Sequence, residues 1–197
     1  MWEDRYSSRD DYLFGTAPAQ VLTENPWLAM PGASALCVAD GEGRNGVAMA
    51  QAGMQVSSFD LSPTAVGRAQ ALAARTGVRL ATRVCDWQGW DWSRPFDLVM
   101  GIFIQFMPPA AQAAQLSDMG RALRPGGRLV LHGYRPEQVA LGTGGPPDPA
   151  QMWTPRILAS AYPDFRIERL ACYERDVQEG SAHVGRSALI DFVARKV

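Results

Sequence analysis

Short apolar runs alternate with longer amphipathic stretches along most of this chain. Ala35–Asp40 (ALCVAD) is an apolar run ending in an acid, which predicts a buried strand. A loop, Gly41–Gly46, and a short helix over Asn45–Ala52 follow. Gln55–Asp60 (QVSSFD) alternates with period two, as a half-buried strand does. Ser62-Pro63 reads as an N-cap with proline at the first helical position, opening a helix to about Arg75 that Gly77 stops. Leu80–Asp86 predicts a third strand. Phe96–Phe103 (FDLVMGIF) predicts a fourth, nearly all apolar, as expected when helices cover both faces of a sheet. Ala110–Leu123 is helical, Pro125-Gly126-Gly127 ends it, and Arg128–His132 predicts a fifth strand.

Strand and helix thus alternate in the order βαβαβαβαβ, which implies an α/β, doubly wound, Rossmann-like and mainly parallel sheet with helices on both faces. After Tyr134 the texture changes. Leu141–Pro149 is rich in Gly and Pro, and Thr154-Pro155 opens a short helix to about Ala161. Phe165–Asp176 and Ser187–Lys196 read as two strands joined by an irregular ten-residue loop, hence antiparallel to each other. The expected architecture is seven strands with one antiparallel member contributed by a C-terminal hairpin.

Length and composition narrow the picture. The 197 residues suit a single domain, here an N-terminal arm over 1–30 and a core over 33–197. At this size folding buries about 70% of the unfolded surface, enough for a core without staples. The net charge of −1 provides no electrostatic footprint for nucleic acid. Of the 19 basic residues only Lys196 is lysine, a bias we ascribe to genome composition rather than binding. Cys37, Cys85 and Cys172 are scattered, with no Cys/His cluster, so neither structural zinc nor a disulfide framework is expected and no metal is assigned. A reducing cytoplasm fits this usage. Met1–Asp11 is charged and lacks the apolar stretch of a signal peptide. The longest apolar run, Leu98–Phe106, is too short to span a bilayer as a helix, so no membrane association is expected.

The strongest chemical signal is Gly41-Glu42-Gly43-Arg44-Asn45-Gly46, placed directly after a strand and opening a helix. Glycines there let backbone approach a ligand closely, and the helix start offers free N–H groups. By itself the pattern equally describes a tight turn without ligand. Asp60 ends the next strand, where an acid can accept hydrogen bonds from a ribose diol. Asp86 repeats the arrangement on the third strand, suited to an adenine amino group, with Trp87 beside it to flank the ring or to pack under the loop. These strand ends define a ligand cleft at the carboxyl edge of the sheet. The adenosine could belong to NAD or to S-adenosylmethionine, and the short parallel part leaves little room for a second mononucleotide half.

With these anchors, ALCVADGEGRNG, QVSSFD, VCDW, FDLVMGIF and LRPGGRLVL, the chain resembles a class I S-adenosylmethionine-dependent methyltransferase over nearly its whole length. More narrowly it is similar to the small bacterial tellurite-resistance and thiopurine-type enzymes. That likeness rests on Trp2, Arg5-Tyr6, Tyr12-Leu13-Phe14-Gly15, the Thr143–Pro146 loop and His183. The resemblance implies S-adenosyl-L-methionine as cofactor, held by Asp40, Gly41, Glu42, Gly43, Asn45, Asp60, Leu61, Asp86, Trp87, Gly101, Ile102 and Phe103. It implies an arm that shields the cofactor from water. One departure stands out: Cys37 and Ala39 replace the family's usual Asp and Gly, so that Asp40 or Glu42 would have to compensate, Glu42 being the one expected to face solvent.

Methyl transfer from a sulfonium is an in-line displacement in which orientation supplies much of the rate, on the order of 7–11 kcal/mol. A base is needed only if the nucleophile arrives protonated. The loop over Val177–Arg186 is expected to overhang the methyl group, making His183 the candidate catalytic residue and Arg186 an anion holder. Tyr12, Phe14, Gln105 and Tyr134 complete the substrate-side candidates, whereas His132, within a strand, reads as a satisfied near-core histidine. The expected acceptor is a small molecule: a thiol, an oxyanion such as tellurite, or a metabolite hydroxyl or amine. The alternatives are a small NAD(P)-dependent oxidoreductase and a non-catalytic S-adenosylmethionine-binding protein.

Overall fold

A computed structural model of the protein, describing residues 2–197, contains the seven expected strands. They are β1 (Ser34–Val38), β2 (Gln55–Asp60), β3 (Leu80–Val84), β4 (Phe96–Ile102), β5 (Leu123–Tyr134), β6 (Phe165–Glu179) and β7 (His183–Lys196). They form one sheet in the order 3-2-1-4-5-7-6. The pairs β1–β2, β2–β3 and β4–β5 are parallel, and β7 runs antiparallel to β5. The chain divides into two compact units, one extending to Asp91 with Glu179–Ala182, the other Trp92–Gln178 with His183–Val197.

In the first unit, β1 and β2 are buried almost throughout, which is why their sequences are apolar or small. The helix α1 (Trp2–Ser7) and the five-residue α2 (Gln20–Glu24) precede β1; α3 (Arg44–Gln51) and α4 (Pro63–Arg75) follow β1 and β2. Ser62 caps α4 as its sequence predicts, its Oγ accepting from Ala65 N at 3.0 Å. Val66, Ala69, Leu72 and Ala73 make the buried stripe of α4, spaced three and four apart as a helix face requires. The third strand ends at Val84 rather than Asp86, because Asp86 turns to accept from Gly89 N at 2.7 Å.

In the second unit, α5 (Pro109–Arg121) lies between β4 and β5, and α6 (Gln138–Leu141) and α7 (Pro155–Ala161) precede the final hairpin. Thr154 caps α7 through its side chain, which accepts from Ile157 N. Leu129, Val130 and Leu131 of β5 are wholly buried, each such side chain contributing about 1.5–3 kcal/mol of hydrophobic stabilisation.

Further boundaries also differ from the sequence reading. Helix α5 stops at Arg121, and β5 starts at Leu123 instead of Arg128. Phe96 pairs with Leu123 and Leu98 with Arg128, so Arg124 to Gly127 bulge out of the ladder. The Pro-Gly-Gly that reads as a helix stop is a bulge inside a strand, with Gly126 at φ +78°. The supposed ten-residue loop over Val177–Arg186 is mostly strand: β6 continues to Glu179, β7 starts at His183, and Gly180 turns the chain at φ +57°. Polar residues hide the alternation there, since every second side chain of β6 from Leu170 to Gln178 is exposed.

Candidate functional site

The first unit builds its glycine loop from the end of β1. Ala39 has φ +47°, the left-handed conformation that explains why the resembling family carries glycine there. Gly41 and Gly43 also have positive φ. A Cβ on Gly41 would meet the Tyr6 hydroxyl at 2.6 Å, one on Gly43 the Ala69 Cβ at 2.6 Å, and one on Gly46 the Asp40 carboxylate at 2.5 Å. The loop is therefore tight against its own protein.

Asp40 ties the glycine loop to the helix that follows it. Its Oδ2 accepts from Gly46 N at 3.0 Å, closing the loop onto the start of α3. Burial pushes its pKa up to about 7, opposed by the Gly46 N–H and the Arg44 guanidinium. Asn45 joins loop and arm: its side chain also helps hold the Asp40 charge, and its Oδ1 accepts from Ala19 N at 2.9 Å.

Glu42 contradicts its expected solvent orientation. It is buried, and it pairs with Arg68 at 2.8 Å and accepts from Leu13 N at 2.7 Å. A buried carboxylate needs such partners, because its charge is costly to desolvate alone. One oxygen holds the arm at Leu13 and the other holds Arg68 of α4, so the structure leaves Glu42 as a positioning residue rather than a cofactor contact.

The arm is fastened at further points. Glu3 accepts from Ser62 Oγ, and from Thr64 Oγ1 at 2.5 Å, at the start of α4. Tyr6, Leu13 and Ala65 form a buried cluster with Trp2, Phe14 and Ala182 against it. Tyr12 packs instead beside Val47, Leu72 and Ala73, donates to Arg68 O at 3.1 Å and lies under Arg75. Its ring is thus committed to α3 and α4, which removes it from the substrate-side candidates, while Phe14 belongs to the Tyr6 cluster.

At the end of β2, Asp60 is buried and accepts from Gly41 N and Ser62 N, each at 2.9 Å, one on each carboxylate oxygen. Burial raises its pKa against these hydrogen bonds. Each oxygen keeps a lone pair, enough for the two hydroxyls of a ribose. This donor and acceptor set fits the nucleoside of S-adenosylmethionine. Leu61 beside it is exposed, as is Asp86. Trp87 packs edge-on against Phe59 at 6.1 Å, and Trp90 stacks on the same ring at 4.7 Å. Packing under the loop is therefore what Trp87 does.

The second unit carries the remaining candidates. Gly101 faces the core: a Cβ there would strike Ile104 Cδ1 at 2.5 Å and Met119 Cε at 2.9 Å. Ile102 ends β4. Phe103 follows it at φ +56°, with its N donating to His132 O at 2.8 Å. Its ring centre lies 4.4 Å from His183, 4.8 Å from His132 and 4.8 Å from Tyr134. These four rings form one cluster at the carboxyl ends of β4 and β5 and the start of β7.

Gln105 does not present its amide to a substrate. It bridges the main chain of Tyr134, donating to O and accepting from N, both at 2.7 Å. Arg186 also departs from its expected place: it is an exposed residue of β7, paired with Glu174 at 3.3 Å, because the hairpin is strand where a loop was expected. The Thr143–Pro146 loop is tied to β7 by Thr143 Oγ1 donating to Arg186 O.

Sequence reasoning missed Glu3, Arg68, Glu179 and Asp191. No local pattern marks them; each acts through a partner at least 22 residues away, as in the Arg169–Asp191 pair. Among the described residues no group of three or more potential metal ligands occurs, and no helix is long and apolar enough to cross a membrane.

A family profile described as a methyltransferase domain matches residues 35–127. An uncharacterized protein of Mycobacterium tuberculosis and one of Mycobacterium bovis are each 34% identical over 104 residues, covering 52% of this chain. The chain spans only 37% of the length of these curated relatives. Among solved structures, TehB from Haemophilus influenzae superposes with TM-score 0.74 at 15% identity, covering 100% of this chain and 67% of that one. The magnesium protoporphyrin IX methyltransferase of Synechocystis PCC 6803 with bound SAM superposes with TM-score 0.70 at 18% identity, covering 90% and 78%. A structure described for the conversion of a disulfide bond into a thioacetal group during echinomycin biosynthesis gives TM-score 0.79 at 19% identity, covering 99% and 90%.

Residues 35–127, from β1 to the bulge of β5, match the methyltransferase-domain profile, and the fold as a whole is the one seen in the superposed methyltransferase structures.

Proposed function

We propose that the protein transfers a methyl group from S-adenosylmethionine to a small-molecule acceptor. The observation that carries this reading is Asp60: a buried carboxylate at the end of β2, wired to the glycine loop through Gly41 N and retaining one acceptor lone pair on each oxygen. The cofactor, when bound, supplies an electrophilic methyl on a sulfonium. This chain's residues bind and orient it. Asp60 accepts from the ribose, the glycine loop with Asp40 receives the rest of the nucleoside end, and Asp86 faces the base. The arm, locked by Glu42 and Arg68, excludes water, which strengthens the electrostatics of a charged cofactor.

On the acceptor side we assign Phe103, Tyr134 and His183, whose rings meet within 4.4–5.8 Å. Aromatic walls suit a small acceptor and a sulfonium alike, since ring faces attract cations. His183 orients the acceptor. The compact domain and near-zero net charge favour a metabolite over a nucleic acid, and the likeness to TehB supports including oxyanions and thiols among acceptors to be screened. We assign the reaction to the cytoplasm from the scattered free cysteines.

The test is titration calorimetry with S-adenosylmethionine, S-adenosylhomocysteine and NADH side by side. Micromolar binding of the first two and none of the third is expected, followed by release of S-adenosylhomocysteine in the presence of acceptors. Binding of NADH alone overturns the proposal in favour of hydride chemistry. Cofactor binding with no turnover across a broad acceptor panel favours a binding protein.

A further inference from the structure

Three neighbouring strands of the second unit place a set of polar groups inside its core. His132 on β5 is the register partner of Asp191 on β7. Both are buried, at 2% and 0% exposure. His132 Nδ1 lies 2.7 Å from Asp191 Oδ1. The same oxygen accepts from Tyr173 Oη on β6 at 2.9 Å. Arg169, also on β6, grips Asp191 Oδ2 with Nε at 3.0 Å and with Nη2 at 2.9 Å.

This arrangement determines how the histidine carries its proton. Burial works against the Asp191 charge, but the hydrogen bonds from His132, Arg169 and Tyr173 outweigh it and hold the carboxyl below its usual range. An ionised carboxylate only accepts, so His132 presents N–H at Nδ1. With Nδ1 so engaged, Nε2, the nitrogen farther from the main chain, is the position at which this ring can accept a proton. Nδ1 is engaged by Asp191, so Nε2 is the ring nitrogen left to meet a ligand. The ring also touches the acceptor-side cluster, with Phe103 edge-on at 4.8 Å, and Phe103 holds a left-handed backbone to sit there. Strain of that kind gathers at functional sites.

We propose that His132, held by Asp191, is the general base of this enzyme, and that its acceptor is therefore a nucleophile that arrives protonated, a thiol, phenol or alcohol, rather than a free oxyanion. This rests on the methyl-transfer reading above. As the acceptor's heteroatom forms its bond to the methyl carbon, the carbon–sulfur bond breaks and its electron pair stays on sulfur as a neutral thioether. The acceptor proton goes to His132 Nε2, giving an imidazolium stabilised by Asp191, and then leaves to solvent. Arg169 and Tyr173 keep Asp191 charged and aimed. The other titratable groups at the cluster are His183 and Tyr134. An oxyanion such as tellurite needs no base, and a site built only for it would have no use for the pair.

The chain has two histidines, so nitrogen-15 NMR of histidine-labelled protein, assigned with His183→Ala, reads the ring directly. A neutral ring protonated at Nδ1, taking up a proton at Nε2 as pH falls while the fold persists, is expected. A ring protonated at Nε2, or one that titrates only with unfolding, overturns the proposal. The kinetic arm measures S-adenosylhomocysteine release with 2-mercaptoethanol, catechol and tellurite as probes. His132→Gln and Asp191→Asn should keep S-adenosylmethionine affinity and lose at least tenfold in kcat with the thiol or the phenol at neutral pH. The loss should shrink at high pH, where the probe ionises unaided. Tellurite as the sole probe turned over, or a loss independent of pH, overturns it. If wild-type protein binds no S-adenosylmethionine, the methyl-transfer reading fails and the NMR result decides the histidine pair separately. If it binds the cofactor but turns over no probe, the NMR result likewise decides.

Discussion

Arg44 and Glu179 stand 135 residues apart in sequence, yet Arg44 Nη2 lies 2.7 Å from Glu179 Oε2. Both side chains are 8% exposed. Arg44 starts α3 beside the glycine loop, and Glu179 ends β6, so the pair ties the hairpin tip to the loop within the first unit. Removing Glu179 leaves the Arg44 charge buried without its carboxylate partner. Glu179→Ala is expected to cost about 3–5 kcal/mol, measured by urea unfolding, whereas the double variant Arg44→Met with Glu179→Leu should recover much of that loss. Equal destabilisation by single and double variants would refute the pairing as the cause.

Ala39 holds φ +47° at the turn out of β1. A left-handed alanine costs about 1–2 kcal/mol that glycine does not pay, partly offset by the greater chain entropy of glycine when unfolded. Ala39→Gly should therefore stabilise the protein modestly, by up to about 1 kcal/mol, and raise Tm in calorimetry. A lower Tm would show that the Ala39 methyl contributes packing that exceeds its strain.

Asp60 holds the glycine loop and, in the function proposed above, the ribose. Asp60→Ala removes the acceptors of Gly41 N and Ser62 N as well as the ribose contact. Cofactor affinity should fall by about 1.5–3 kcal/mol, roughly ten- to a hundredfold or slightly more. Asp60→Asn keeps one acceptor oxygen and should fall between. Unchanged affinity in titration calorimetry would sink the ribose assignment.

Asp40 makes stability pH-dependent in an unusual sense. Its folded pKa, pushed up to about 7 by burial, exceeds the ordinary 3.8, so between those values the folded state binds more protons than the unfolded one. Stability then falls as pH rises through that window, and the penalty is complete above pH 7. Asp40→Asn retains an acceptor for Gly46 N and removes the charge. It should flatten the slope between pH 4 and 7 and add on the order of 1 kcal/mol at pH 8, as read from urea midpoints across pH. A variant with an unaltered slope would assign the pH dependence elsewhere.

The parallel strands, the caps at Ser62 and Thr154 and the glycine loop were legible along the chain because each depends on neighbours within a few residues. A strand's apolar run, a hydroxyl three residues before a free N–H, and a glycine after a strand all act locally. The strand-end position of Asp60 was legible for the same reason. The bulge in β5 was not: Pro125-Gly126-Gly127 reads alike whether it ends a helix or bulges a strand, and pairing with β4 decides. Nor was the length of the final hairpin, whose exposed positions dilute the alternation.

By itself, then, the sequence determined the α/β order, the seven strands and the place of the glycine loop. Tertiary structure decided what the charged and aromatic side chains do. Glu42, expected in solvent, is buried because Arg68 and Leu13 N reach it. Gln105 is spent on Tyr134, Arg186 is turned outward, and His132 gains Asp191 from a strand 59 residues away. Burying a charged or polar group is favourable only with a partner in place, and in this chain those partners come from distant segments that only the fold brings together.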